Sequence, residues 1–173
     1  ALSCATTGIG TANHLVGELI RLRAGIDWVH VSYRAGAEAR TDLMADRVQV
    51  MIDPVADAAE LSRGGRVRVL AVTSAAPSAA LPGVPPLAAT LPGFDVGLLI
   101  GPMAPAGTLP AVVQRLNEAV RAVTRDPEVQ RQWRTQGAEA IDASVADWGA
   151  MVAAGTERRA MVARDAAGVP VDG

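Results

Sequence analysis

Nine consecutive residues, Thr6-Thr7-Gly8-Ile9-Gly10-Thr11-Ala12-Asn13-His14, join hydroxyls and glycines to the start of a helical pattern. Gly8 and Gly10 permit positive φ and let a ligand approach the backbone closely. Thr11 is placed to cap the helix, whose first turn carries unpaired N–H groups and a partial positive charge. The chemistry of such a loop is anion binding, of a carboxylate or a phosphate. Two further groups fall at strand ends. Tyr33 closes one alternating run, and Asp53 closes a buried one ahead of Pro54. Parallel sheets bind ligands outside the carboxyl ends of their strands. The candidate binding set is therefore Thr6, Thr7, Gly8, Gly10, Thr11, Tyr33 and Asp53, gathered on one edge. An aspartate there disfavours a second bare carboxylate unless water or a cation intervenes.

Each residue also has a purely structural reading: a tight turn for the glycines, a packed rim residue for Tyr33, a helix N-cap for Asp53. A truncated dinucleotide fingerprint is a further alternative. However, Asn13 stands in place of its third glycine, and Asp27 precedes the second strand instead of ending it.

Other chemistries find little support. The chain has two histidines, His14 and His30, and one cysteine, Cys4. They supply no nucleophile–base pair, and two histidines sixteen residues apart lack metal-ligand spacing. The expectation is a protein that is not an enzyme, with no metal and no cofactor. All 16 basic residues are arginine, and the net charge of −2 gives no basic field for nucleic acid. Cys4 reads as a small buried side chain. No apolar run reaches the roughly 18 residues of a membrane-spanning helix, and no signal-peptide pattern precedes Cys4.

The elements that must position the candidate edge alternate. Leu2–Ala5 predicts a strand, Thr11–Arg23 a helix, Trp28–Tyr33 a strand, and Gly36–Ala45 a helix. Val48–Ile52 predicts a buried strand, Ala56–Ser62 a helix, and Arg66–Val72 a strand with Val67, Val69 and Ala71 on one face. Units of this length imply a mostly parallel sheet with crossover helices. A proline-rich connection runs from Ala76 to Gly93, and Val96–Ile100 predicts another strand. Thr108 is placed to cap a helix from Pro110, striped by Val112, Val113, Leu116, Val120 and Val123. Asp126-Pro127 opens the next helix, which Gly137 ends. Glu139–Ala143 predicts a short strand. Ser144 and Asp147 form a capping box for a last helix to about Ala166, carrying Trp148, Val152 and Val162.

Taken in order, these pieces resemble the extracytoplasmic solute receptors of tripartite tricarboxylate transporters, the Bug or TctC type. The resemblance rests on Gly8-Ile9-Gly10-Thr11 with His14-Leu15 and Gly17-Glu18-Leu19, on Val29 to Arg34, on Thr41-Asp42-Leu43, and on Val48 to Asp53. It continues through Arg68 to Ser74, Leu81 to Pro85, Leu91 to Asp95, Ala104 to Thr108 and Asp126 to Val129, and so covers nearly the whole chain.

The resemblance implies an α/β fold of the type II periplasmic-binding-protein kind, with one complete lobe and the C-terminal part of a second. Residues 1–72 would form the second-lobe-like unit with the glycine loop, 73–110 the hinge and return, and 111–173 the C-terminal helical part of the first lobe. It also implies a periplasmic protein that captures a small organic acid or amino acid for membrane transporter subunits. Family contacts map onto Thr7, Gly8, Gly10, Thr11, Tyr33 and Asp53. Two positions depart from the family pattern: Ala35 replaces a glycine, and Pro54 stands where Asn or Ser is common. The N-terminal part of the first lobe has no counterpart here. The expectation is therefore a homodimer or a missing N-terminal segment, with a remnant receptor that works only as a homo-oligomer, or a nucleotide-binding domain, as alternatives.

Overall fold

A computed structural model of the chain describes residues 2–167. Strand β1 (Leu2–Thr6) leads through the glycine loop into helix α1 (Ala12–Ala24), and β2 (Trp28–Ser32) leads into α2 (Gly36–Met44). A short β3 (Val50–Met51) precedes α3 (Val55–Arg63). The sheet is parallel throughout, in the order β2-β1-β3. β3 is shorter than its apolar run because Gln49 meets β1 differently. Its N–H donates to the Ser3 carbonyl, and its Oε1 accepts from the Ser3 N–H and hydroxyl.

The two crossovers lie on opposite faces of the sheet. Successive strand residues alternate between faces. Cys4 lies against Gly17 of α1, while Ala5 is buried with Ala39 of α2 and Val48, beside Val31, Tyr33, Leu43 and Met51. Going from β1 out to β2 and back past β1 to β3 puts the reversal of strand order between β1 and β3. That is where open α/β sheets form their ligand crevice.

Beyond α3 the predicted strand Arg66–Val72 is not a strand. Its alternation survives, with Val69 packed beside Ala59, Val72 and Leu81 while Leu70 is exposed. However, only Val72 finds a bridge partner, donating to the Pro85 carbonyl and accepting from the Leu87 N–H, while Arg66 donates back to the Leu61 carbonyl of α3. Val96–Ile100 and Glu139–Ala143 are likewise without ladders. Leu98 and Ile100 are among the most exposed large apolar residues, at 61% and 84%. Apolar periodicity makes a segment extended, but a strand also needs a neighbour for its N–H and C=O groups. Among the described residues these three segments have no more than isolated bonds, such as that from the Val96 N–H to the Thr73 carbonyl, and no ladder.

The C-terminal helices are α4 (Pro110–Arg125), α5 (Pro127–Thr135) and α6 (Val145–Ala167). The expected caps divide. Asp126 accepts from the N–H groups of Glu128 and Val129, and Ser144 and Asp147 exchange side-chain and backbone hydrogen bonds as a capping box. Thr108, in contrast, does not cap α4: Leu109 holds the cap position and no side chain serves it. The α4 stripe also splits. Val113 and Val120 are half-buried, whereas Val112, Leu116 and Val123 are exposed. The Val162 side chain lies outside the described residues. α6 packs against α1, and the Trp148 ring lies on the backbone of Gly101, where a Cβ would come within 2.4 Å of it. Gly137 (φ +74°) seats the end of α5 on α3, with space for a Cβ taken by Val55 Cγ1 at 2.2 Å.

Candidate functional site

The parallel register brings the ends of all three strands to one edge. Thr6 pairs with Ser32, the Tyr33 N–H donates to the Thr6 carbonyl at 2.8 Å, and β3 flanks β1 on the other side. The glycine loop is the central feature of this edge. Gly8 and Gly10 both have positive φ (122° and 81°), so the chain turns there at a cost only glycine escapes.

The structure overturns one expectation about this loop. Thr11 sits at the N-cap of α1 but makes no side-chain cap. Its hydroxyl donates back to the Gly8 carbonyl at 2.6 Å and lies 2.5 Å from Oδ1 of Asn13. The same Asn13 oxygen accepts from the Thr7 hydroxyl at 3.1 Å and from the His14 N–H at 3.0 Å. Asn13, which the fingerprint reading treated only as a missing glycine, thus ties the loop together. The N–H groups of Ile9, Ala12 and Asn13 meet no acceptor among the described residues. An uncapped helix start with a braced loop leaves its backbone donors open at the strand-end edge.

Thr6 is 1% exposed, and its hydroxyl oxygen is buried without a partner at the root of this loop. Tyr33 is differently placed. Its ring joins the Ala5–Ala39–Val48 core and its hydroxyl donates to Asp42 at 3.0 Å. Burial, then the carboxylate of Asp42, pushes the phenol's pKa up. What Tyr33 offers the edge is its backbone and the rim of its ring.

Asp53 is the end of a charge network that the sequence did not reveal. Arg40 donates from Nε to Oδ2 at 2.7 Å and from Nη2 to Oδ1 at 3.1 Å, and Nη2 also donates to Asp57 in the first turn of α3. Helical side chains lean toward their N-terminus, so Arg40 reaches from mid-α2 back to the ligand edge, beside Gly36. The hydrogen bond that Arg40 donates to Asp53 raises the arginine's pKa further. The cation that would offset an aspartate at this edge is therefore built into the chain. A basic residue four positions into a helix that runs back from the same edge was the available signal.

His14, in the first turn of α1, accepts from the Gly10 N–H of the loop at 3.4 Å, and His30 faces the same helix from β2. His30 Nε2 is 2.6 Å from Oε1 of the buried Glu18, and Arg21 donates to both Glu18 oxygens at 3.0 and 2.9 Å. The indole N–H of Trp28 also reaches His30 Nε2, at 3.2 Å, while the buried Nδ1 meets no partner among the described residues. The His14 and His30 rings lie 4.6 Å apart. Among the described residues, no group of three or more His, Cys, Asp or Glu could hold a metal ion.

Residues 1–166 match the family model described as the tripartite tricarboxylate transporter family receptor, TctC. A UPF0065 protein in the clcB-clcD intergenic region of Pseudomonas knackmussii is 40% identical over 135 residues, 77% of this chain and 80% of that protein. A second, in the tcbD-tcbE intergenic region of Pseudomonas sp. strain P51, is 42% identical over 130 residues, 74% of this chain and 39% of that protein. Among solved structures, the periplasmic binding protein BugD superposes with a TM-score of 0.84 at 30% identity, over 96% of this chain and 56% of BugD. R. palustris Rpa4515 with adipate gives the same values. MatC from Rhodopseudomonas palustris with bound malate gives 0.82 at 25% identity, over 93% of this chain and 56% of MatC. The chain thus spans about half the length of these solved relatives.

Proposed function

The chain belongs to the tripartite tricarboxylate transporter receptor family, and on that premise we propose that it is the ligand-gripping part of a periplasmic solute receptor. The solute is a small carboxylate, delivered to membrane transporter subunits. The observation that carries this reading is the uncapped start of α1. Thr11 turns its hydroxyl into the loop, so the open N–H groups of Ile9, Ala12 and Asn13 remain for an anion beside the β1/β3 crevice. Charge-assisted bonds of this kind are short and directional. In this reading Thr6, Thr7, Gly8, Gly10 and Thr11 hold the carboxylate, and Tyr33 and Asp53 border the rest of the ligand. Relatives bound to adipate and malate support a carboxylate over a phosphate.

Calorimetry of the chain with succinate, adipate, malate and inorganic phosphate tests it. Binding of a carboxylate that Gly10→Val removes supports the reading; binding of phosphate alone overturns it.

The exposed Leu70, Leu98 and Ile100 favour a second reading, in which the module works only when another part of the fold or a second copy covers these segments. Light scattering beside the calorimetry decides it: a monomer that binds carboxylate needs no such cover.

A further inference from the structure

Resting on the carboxylate reading above, we propose that Arg40 is the residue that sets ligand class at this site, favouring dicarboxylates over α-amino acids. A free aspartate at a strand end would seek the ammonium group of an amino acid and repel a second carboxylate. Asp53 cannot act in that way here. Both its oxygens already accept from one guanidinium, in a fork geometry that matches a carboxylate. The Asp53 side chain is 10% exposed and that of Arg40 24% exposed, so the pair is largely shielded while the arginine keeps an outlet to solvent.

The remaining donors point the same way. Arg40 spends Nε and Nη2 on Asp53 and Asp57, and its Nη1 meets no acceptor among the described residues. That nitrogen belongs to a guanidinium lying against Gly36, the first residue of α2, and so stands at the carboxyl edge of the sheet. The strand order puts this arginine on the β3 side of the crevice and the glycine loop on the β1 side. A ligand with an anionic group at each end meets the open amides of the loop at one end and Nη1 at the other. An ammonium group meets a carboxylate that is already satisfied.

Calorimetry of the full chain with butyrate, succinate, adipate and L-2-aminobutyrate tests this. The wild-type chain is expected to bind a dicarboxylate at least tenfold more tightly than butyrate or L-2-aminobutyrate. In Arg40→Met that preference falls at least tenfold, and L-2-aminobutyrate gains relative to butyrate. Should Arg40→Met fail to fold, Arg40→Met with Asp53→Asn removes both charges at once. It is expected to lose the dicarboxylate preference without a gain for L-2-aminobutyrate. Unaltered ratios among the four probes in either variant overturn the proposal while leaving the carboxylate site standing. No binding of any probe by the wild-type chain overturns the carboxylate reading, and this proposal with it.

Discussion

Glu18 and His30, twelve residues apart on α1 and β2, meet at 2.6 Å between Oε1 and Nε2. The contact joins the first helix to the sheet it covers. Burial pushes the Glu18 carboxyl up, but hydrogen bonds from Arg21 and His30 outweigh it and hold the group below its ordinary value. Removing one member of a buried pair strands the other, at a cost of about 3 kcal/mol. Glu18→Ala is expected to lower the melting temperature by roughly 10 °C for a chain of this size, read by circular dichroism.

Acid lability follows from the same corner. The His14 pKa is lowered below 6.5, first by burial and then by His30. A histidine depressed in the folded state is stabilising above its unfolded value, and that contribution is lost as pH falls below about 6.5. Glu18, depressed below 4.5, contributes above that value and loses it as pH falls further. Stability is expected to fall with acid in two stages. His14→Gln flattens the upper stage and Glu18→Gln the lower, in urea melts from pH 7 to pH 3.

Gly17 tests how tightly this corner is packed. Alanine in a helix ordinarily gains about 1 kcal/mol over glycine. Here a Cβ would lie 3.1 Å from Cε1 of His30, a ring held by Glu18 and tilted against His14. These contacts oppose the small shift that the ring would have to make, and overpacking costs typically 1–3 kcal/mol. Gly17→Ala is therefore expected to destabilise, with a lowered urea midpoint. A raised midpoint would show the ring to be movable.

Gly137 makes a parallel case at the far end of the chain. Its φ of +74° and the Val55 side chain, which occupies the place of a Cβ, both oppose a side chain here. Gly137→Ala is expected to cost about 2–3 kcal/mol. Adding Val55→Ala removes Cγ1 but leaves a Cβ 2.6 Å from the new methyl group, so it is expected to recover only a part of the steric cost and none of the backbone part.

Gly10 separates backbone from bulk. A Cβ there meets nothing within 4 Å, so only its φ of +81° opposes substitution. Asparagine tolerates that conformation and valine does not. Gly10→Asn is expected to keep carboxylate binding within about threefold, and Gly10→Val to abolish it; equal loss in both would point to crowding of the site instead.

Much of this was readable in the sequence because it is local. Periodicity placed all six α-helices and the three ladder strands, and glycines and prolines marked their ends. The Asp126 cap and the Ser144–Asp147 box span three residues each and need no tertiary partner. The glycine loop was visible as the opening of α1 for the same reason.

What the tertiary structure decided involves partners on different elements. Thr11 is the local exception: its hydroxyl turns to the Gly8 carbonyl and to Asn13, three and two residues away, instead of capping α1. Arg66–Val72 and Val96–Ile100 carry strand-like sequence, yet a strand exists only where a neighbour takes its hydrogen bonds. Arg40 and Asp53 are unremarkable thirteen residues apart in the chain. They become a pair only because α2 runs back from the edge where β3 ends, and a long side chain leans toward the start of its helix. The sequence alone determined that a glycine and hydroxyl loop opens α1; the order of three strands determined which charges stand across from it.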